Sequence, residues 1–242
     1  MEQEKRIRNF TSSQMSRLCA SLKNGKPSQA FFTYIEEVRG EIAMGRASDV
    51  QVNTKPLKYG SLMEIILFQK EEIEREYRMA HKLTIIHDTI KHYSGTPDFI
   101  LPGVKVAEVK CFYPKHFASI SLDLLKKDID ILKQNHKDVY WQVVSNSILC
   151  DVDKAEIIVF MPYKSEMEQI IKDIEETNLL ESNNLNPSDY YFMTHDNINT
   201  LPFLPNDSKM SNINRFEFIV PQEDRDFLIG RVKEAVELLN TD

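Results

Sequence analysis

Hydrophobic residues recur every three or four positions in the first part of the chain, in three separate segments. The first covers residues 11–24, the second begins at Ser28 and fades at 40–45, and the third runs from 57 to 73. Residues at this spacing lie on one face of a helix, so each segment is predicted to be a helix with one apolar side. Three helices are therefore predicted before the first strand.

After position 80 the pattern changes to short runs rich in β-branched residues. Strands are predicted at 83–92, 96–101, 104–112, 155–161 and 213–220. The sequence Leu101-Pro102-Gly103 is a turn that folds the second and third of these into a hairpin. Further helices are predicted at 122–132, 139–150 and 223–239. This order allows an α/β fold with a central mixed β-sheet flanked by helices.

The length and composition are those of an ordinary globular chain. The 242 residues are 42% hydrophobic and 28% charged, which predicts a single domain over 1–242. Residues 181–212 differ from the rest, because they are rich in Asn, Ser, Asp and Pro and have no sustained periodicity. A connection of this length is usually functional, mobile or an insertion, and an insertion or long loop is the interpretation favoured here.

The chain has no run of 18 apolar residues, and its N-terminus is charged without an apolar stretch, so neither a membrane span nor export is expected. Three scattered cysteines, without a CxxC pair, favour a reducing compartment, and a cytoplasmic location is predicted. The net charge of −7 counts against nucleic-acid binding but does not exclude it. Local potential, rather than net charge, guides a charged ligand.

The stretch GTPDFILPGVKVAEVKCFYP contains the most informative chemistry. Its hairpin turn brings Asp98 on one strand near Glu108 on the next. Side chains two apart on a strand point the same way, so Glu108 and Lys110 share one face while Ala107 and Val109 face the opposite, packed side. Two carboxylates and one ammonium are therefore predicted to converge.

This set of groups suits metal-assisted phosphodiester hydrolysis. Mg²⁺ commonly takes one or two carboxylates together with waters and substrate phosphate, and Asp98 and Glu108 meet that demand. Mn²⁺ is a plausible substitute. The backbone carbonyl of Val109, between the two functional side chains, is a further candidate ligand. Lys110 could orient or deprotonate the attacking water and offset the negative charge that builds on the phosphoryl oxygens.

A (D/E)xK tripeptide is common by chance, and exposed strands often alternate acids and bases for solubility alone. Here, however, the acid and base interrupt an otherwise apolar strand, and a Pro-Asp pair lies ten residues upstream across a credible turn. The context therefore favours a functional site over a solvated strand.

Further features occur in a fixed order along the chain. Arg6 and a Thr-Ser-Ser run ending at Ser13 come before the first helix, and KYGSLMEII contains Gly60 and Glu64. The ExK strand is followed by Cys and Pro in EVKCFYP, and VYWQVVSNSILC, with Gln142, comes before the strand AEIIVFMPY. Over about three quarters of its length the chain thus resembles the phage lambda-type (YqaJ-like) exonuclease family, within the PD-(D/E)xK nuclease superfamily.

The resemblance implies roles for the central residues and a restriction-endonuclease-like core. Asp98 and Glu108 would be the principal metal ligands, with Glu64 supporting the metal site, through water if not directly. Lys110 would be the catalytic lysine. Gln142 would help to hold the substrate or the active-site water.

The resemblance also implies substrate-binding roles for three residues. Arg6, Ser13 and Thr96 would lie near the terminal phosphate of the substrate. Family members often have Gly after the Pro-Asp aspartate and a second Gln two residues after the first, where this chain has Phe99 and Val144.

By resemblance, the expected activity is processive 5′ to 3′ digestion of one strand of double-stranded DNA by a homotrimer that encircles it. A single-strand annealing protein would be the partner in phage-type recombination. Two alternatives remain open at this point: an endonuclease of the same superfamily, of restriction or repair type, and a non-catalytic DNA-binding scaffold.

Other candidate residues are better explained by ordinary structural roles. The cluster His81, His87 and His92 matches no zinc-site spacing. Cys111 has no base placed for it by sequence and is expected to be a small packed group. Two sets leave alternatives open. Tyr113, Tyr140 and Trp141 could stack on bases or pack in the core, and Lys115, His116, Lys126 and Lys127 could line a DNA path or form a solvated helix face.

Overall fold

The computed structural model describes residues 8–47, 54–80 and 83–241, apart from the side chains of residues 71 and 72. In this part of the chain the helices are α1 Met15–Cys19, α2 Gln29–Met44, α3 Lys55–Phe68, α4 Glu71–Glu74, α5 Pro114–Leu125, α6 Ile129–Asn135, α7 Lys137–Leu149, α8 Lys164–Glu176, α9 Leu179–Ser182, α10 Tyr191–His195 and α11 Gln222–Asn240. The strands are β1 Phe10–Thr11, β2 Arg78–Met79, β3 Ile85–Ile86, β4 Tyr93–Gly95, β5 Phe99–Leu101, β6 Lys105–Lys110, β7 Lys154–Phe160 and β8 Ile213–Ile219.

The strands form two sheets. The larger has the order β2-β5-β6-β7-β8, in which β6 and β7 are parallel and the other neighbours are antiparallel. The smaller has the order β1-β4-β3. The prediction of an α/β fold with a mixed sheet flanked by helices is therefore confirmed.

The two faces of the larger sheet bury two separate hydrophobic clusters. Val106 and Ile157 belong to the cluster that packs against α1, α2, α7 and α11. Their neighbours along the strands, Ala107 and Ile158, belong to the cluster that packs against α3, α8 and residues 190–201. Because side chains alternate along a strand, each strand contributes to both cores. Two buried faces explain why β7 is continuously apolar over residues 157–160.

Several predicted elements are interrupted where the backbone turns. The strand predicted at 83–92 is reduced to β3, because His92 has a φ of 58° and the chain turns there into β4. The helix predicted at 122–132 falls across α5 and α6, separated by Lys127 with a φ of 51°. Asp128 then caps α6 by accepting hydrogen bonds from the next turn. The helix predicted at 11–24 is shorter, with a 3₁₀ turn Ser12–Gln14 before α1.

Residues 181–212 form short helices and turns packed into the second core. They include α10 and the 3₁₀ turns Pro187–Tyr190 and Ile198–Thr200. Tyr190, Met193 and Leu201 are buried in the cluster that covers one face of the larger sheet. The absence of periodicity in this segment thus reflects helices of less than two turns. That it is an insertion in a single nuclease domain stays a prediction.

Among the described helices, none is both long and apolar enough to span a lipid bilayer.

Gly95, at the end of β4, allows the smaller sheet to approach α7 closely. A Cβ atom at this position would lie 1.9 Å from Ser12 Oγ, 2.6 Å from Leu149 Cδ1 and 2.7 Å from Asn146 Oδ1. We expect Gly95→Ala to lower the free energy of unfolding by about 1–3 kcal/mol, because the backbone must move to relieve this overlap. Urea denaturation measures the change.

Gly40→Ala is the control, since Gly40 lies inside α2 and a Cβ there meets no atom of the described residues within 4 Å. It should be neutral or raise the free energy of unfolding by about 0.5–1 kcal/mol. Equal effects of the two substitutions would contradict the close approach at Gly95.

Candidate active site

The β5–β6 hairpin brings Asp98, Glu108 and Lys110 together. Gly103, with a φ of 70°, lies in its turn, and the ladder ends at the pair Phe99–Ala107. Asp98 comes immediately before β5 and shares the face of the sheet on which Glu108 and Lys110 lie. The hairpin thus places two carboxylates and one ammonium at the end of the ladder, as the sequence predicts.

Beyond the last paired residues, Phe99 and Ala107, the side chain of Asp98 binds the backbone of β6 in place of a further backbone hydrogen bond. Its Oδ2 accepts a hydrogen bond of 2.7 Å from the backbone N–H of Val109. In a strand the N–H and C=O of one residue point to the same edge. The carbonyl of Val109 is therefore directed to the edge where Asp98 lies, beyond the last paired residue of β5.

Lys110 is held by two acceptors. Its Nζ donates to Glu108 Oε1 at 2.6 Å and to Gln142 Oε1 at 3.2 Å. Burial lowers the pKa of Lys110, but the carboxylates of Glu108 and Asp98 outweigh burial, and the pKa lies above its usual value. Lys110 therefore remains an ammonium at neutral pH.

Helix α7 supplies two amides to this centre, one helical turn apart. Gln142 contacts Lys110, and Asn146 Nδ2 donates to Glu108 Oε2 at 3.1 Å. Sequence reasoning selected Gln142 and missed Asn146. The available signal was the i, i+4 spacing of two amides on a helix whose other residues are mostly apolar.

Burial and the nearby Asp98 carboxylate raise the pKa values of Glu108 and Glu64. Glu108 is 1% exposed, and burial together with the nearby Asp98 carboxylate raises its pKa to about 8, against the lowering effect of Lys110. Burial, followed by the charge of Asp98, raises the pKa of Glu64 on α3 well above its usual value. Three acids thus crowd around one ammonium. A divalent cation would offset this excess of negative charge, and oxygen donors of this kind are those that Mg²⁺ prefers.

A second acidic group lies on the opposite face of the larger sheet. In the part of the chain that the structure describes, only Glu76, Glu156 and Glu217 form a group of three acids in which one oxygen from each lies within 4.8 Å of the other two. Lys105 and Arg215 bind these carboxylates. The group is therefore neutralised by cationic side chains and is not the metal site that the sequence predicts.

Ser13 and Thr96 lie in the region of the smaller sheet, and Arg6 lies outside the described residues. Ser13 Oγ lies 3.3 Å from Thr11 Oγ1, and Thr96 Oγ1 lies 3.2 Å from Thr84 Oγ1. These contacts do not connect either residue to Glu108 or Lys110. A role for the three residues at a terminal phosphate stays a prediction.

Residues 187–202, which follow α9, are bound to α3, the helix that contains Glu64. Lys58 Nζ lies 2.8 Å from Asp189 Oδ1, and the hydroxyl of Tyr59 donates to the carbonyl of Pro202 at 2.7 Å. The charge of Glu64 also contributes to a raised pKa of Tyr190, after burial and Asp189. The segment 187–202 therefore lies beside the candidate active site.

Several other candidates have structural roles. The ring of His87 stacks on Tyr93 and accepts backbone N–H groups through Nδ1, and His92 Nδ1 contacts the carbonyl of Arg8, while His81 lies outside the described residues. Burial, together with the charges of Glu64 and Asp98, raises the pKa of Cys111 well above its usual value, so its thiol stays protonated.

The aromatic candidates divide between the core and the surface. Tyr140 and Trp141 are buried in the first cluster, whereas Tyr113 is 42% exposed. Among the basic candidates, Lys126 pairs with Asp123, and the ring of His116 lies beside Phe112.

Comparison with known proteins supports the fold. No protein-family model and no curated protein matches the chain. Among solved structures, the alkaline exonuclease LHK-Exo from Laribacter hongkongensis aligns with a TM-score of 0.62 and 10% identity, over 98% of this chain and 91% of that one. Its complex with dAMP gives the same TM-score and identity, over 98% and 90%.

A phage-related exonuclease from Haemophilus somnus 129PT aligns with a TM-score of 0.58 and 14% identity, over 96% of this chain and 93% of that one. The similarity extends over nearly the whole of each chain. It agrees with the resemblance that the sequence motifs indicate, and the protein has the fold of the alkaline and phage-related exonucleases.

Proposed function

We propose that this protein is a metal-dependent exonuclease that hydrolyses phosphodiester bonds of double-stranded DNA. The observation that supports the proposal most strongly is the convergence of Asp98, Glu108 and Lys110 at the end of the β5–β6 ladder. The exonuclease neighbours support a nuclease of this fold. Digestion from a 5′ end, assembly into a homotrimer and partnership with a single-strand annealing protein follow from the family resemblance and belong to the proposal.

Asp98, Glu108 and the carbonyl of Val109 would hold the cation, with Glu64 supporting it. When bound, Mg²⁺ would supply Lewis acidity to the phosphoryl oxygens and lower the pKa of a water molecule. Asp98 has a second role in fixing the strand edge, because it already accepts the N–H of Val109. Glu108 and Val109 are thus fixed on a paired strand, and Asp98 is tied to that strand by its hydrogen bond, which is the kind of rigid support that precise coordination requires.

Lys110 would act through its charge. Its Nζ is held between Glu108 and Gln142, and its pKa lies above the usual value. An ammonium fixed in this way can offset the negative charge that builds on the phosphoryl oxygens and can donate a hydrogen bond to the attacking water. It would not deprotonate that water while it carries its own proton. Gln142 would keep the ammonium directed at the reacting group.

We expect the protein with Mg²⁺ to degrade linear duplex DNA and to leave a covalently closed circle intact. The circle has no ends, so degradation of it would support the alternative endonuclease. Substrates with a radioactive label at one 5′ end show the polarity. Early release of labelled mononucleotide indicates digestion from the 5′ end, and late release would contradict that direction.

The variant Asp98→Ala should cleave at least about a hundredfold more slowly, because a charged group at the centre is lost. Asp88→Ala is the matched control, since Asp88 is an exposed acid ten residues earlier. Cleavage by Asp98→Ala at the rate of Asp88→Ala would show that the centre lies elsewhere. No cleavage by the unaltered protein under any metal condition would favour the DNA-binding scaffold.

A further inference from the structure

Asn146 is a fully buried amide in contact with the candidate metal centre. It is 0% exposed on α7, and its Nδ2 donates to Glu108 Oε2 at 3.1 Å. Lys110 Nζ donates to the other oxygen, Oε1, at 2.6 Å. Both oxygens of Glu108 therefore have a donor within the protein, one from each side of the carboxylate.

Two donors on one carboxylate fix its rotation about the last side-chain bond. A carboxylate has about four lone-pair sites, so the donors Lys110 and Asn146 leave part of its acceptor capacity for a cation. The remaining lone pairs of Glu108 are then presented in a defined direction.

The position of Asn146 is itself tightly defined. A Cβ atom at Gly95 would lie only 2.7 Å from Asn146 Oδ1. This oxygen is buried and has no hydrogen-bond partner among the residues that the structure describes. A buried amide with an unpaired oxygen costs free energy, roughly 1–3 kcal/mol. An apolar side chain of similar size would avoid this cost and would be favoured here if packing alone decided the residue. The hydrogen bond that Asn146 donates to Glu108 explains why an amide rather than an apolar side chain occupies this position.

We propose that Asn146 is a positioning residue that orients the Glu108 carboxylate and thereby sets the affinity of the centre for a divalent cation. The inference rests on the proposed function, because it assumes that Glu108 is a metal ligand. Partners that orient a ligand typically change metal affinity by about tenfold to a hundredfold when they are removed. Asn146 acts through Glu108 and need not touch the substrate.

The test compares Asn146→Leu with Ser147→Ala in the full chain. Leu has a similar size and no donor. Ser147 is also buried on α7, but its hydroxyl donates to the carbonyl of Val144 at 2.7 Å. Isothermal titration with Mn²⁺ alone measures the dissociation constant, and cleavage of linear duplex DNA over a range of Mg²⁺ concentrations gives the half-saturating concentration and the maximal rate.

We expect Asn146→Leu to raise the Mn²⁺ dissociation constant and the half-saturating Mg²⁺ concentration by about tenfold. The maximal rate at saturating Mg²⁺ should fall much less, and Ser147→Ala should change the Mn²⁺ dissociation constant less than twofold. If Asn146→Leu fails to fold, Asn146→Ala removes the same donor and carries the same expectation.

The outcomes separate this inference from the proposed function. Unaltered affinity in a folded Asn146 variant, or equal weakening in Ser147→Ala, overturns the positioning role while the nuclease proposal stands. Absence of both Mn²⁺ binding and cleavage in the unaltered protein overturns the proposed function and the positioning role with it.

Discussion

Replacement of Lys110 by methionine is expected to lower the maximal rate of DNA cleavage by a factor of about a hundred to a thousand. Methionine keeps an unbranched apolar stem but removes the ammonium that Glu108 and Gln142 hold in place. Loss of one fixed donor at a site of developing negative charge has an effect of this size. Rates measured at saturating Mg²⁺ with linear duplex DNA give the value.

Lys126→Met is the matched control, because the side chain of Lys126 is 54% exposed and pairs with Asp123, three residues earlier. Its rate should stay close to that of the unaltered protein. Isothermal titration should show that the Lys110 variant still binds Mn²⁺, since the carboxylate ligands remain. Cleavage by Lys110→Met at the control rate would contradict a catalytic role for the ammonium.

Replacement of Lys105 by methionine is expected to lower the free energy of unfolding by about 3 kcal/mol or more. The Lys105 side chain is 6% exposed and binds Glu76, Glu156 and Glu217. Glu156 and Glu217 lie directly opposite each other on β7 and β8, an arrangement of like charges that is unfavourable without a cation. Removal of one partner from a buried ionic group leaves an uncompensated charge, which is strongly destabilising.

Arg215 remains in this variant and binds Glu156 and Glu76, so part of the negative charge stays neutralised. Lys154→Met is the matched control. Lys154 contacts Glu217 at 3.4 Å and is 47% exposed, so its loss should cost less than about 1 kcal/mol. Urea denaturation followed by circular dichroism compares the two, and similar midpoints would contradict a structural role for the buried network.

The β5–β6 hairpin could be predicted from sequence because its contacts are local. The Pro-Gly turn lies within a few residues of both strands, and alternation along the strand then places Glu108 and Lys110 on one face. The helix at 139–150 could also be predicted, because the segment is long enough for the helical spacing of its apolar residues to repeat over several turns. Elements of this kind depend on information within about ten residues.

The contacts that complete the centre are distant in sequence. Asn146 reaches Glu108 across 38 positions, and no spacing rule connects them. The smaller sheet could not be predicted from its strands, since those of two or three residues are too short to show alternation. The helix Lys164–Glu176 was not predicted either, although Met167 and Ile170 on its buried side have helical spacing.

Turns at non-glycine residues were a further source of error. His92 and Lys127 have positive φ values, and neither is a residue type that marks a turn as clearly as glycine does. Each interrupts a segment that was predicted to be continuous. The break after α5 is stabilised by the cap at Asp128, which becomes recognisable only once the helix start is known.

The central claim is that Asp98 and Glu108 hold a divalent cation beside Lys110. Anomalous diffraction from crystals grown with Mn²⁺ tests it most directly, because the metal peak gives a position that does not depend on activity. We predict a peak within coordination distance of carboxylate oxygens of Asp98 and Glu108. A peak among Glu76, Glu156 and Glu217 instead, or no peak at saturating Mn²⁺, would contradict the claim.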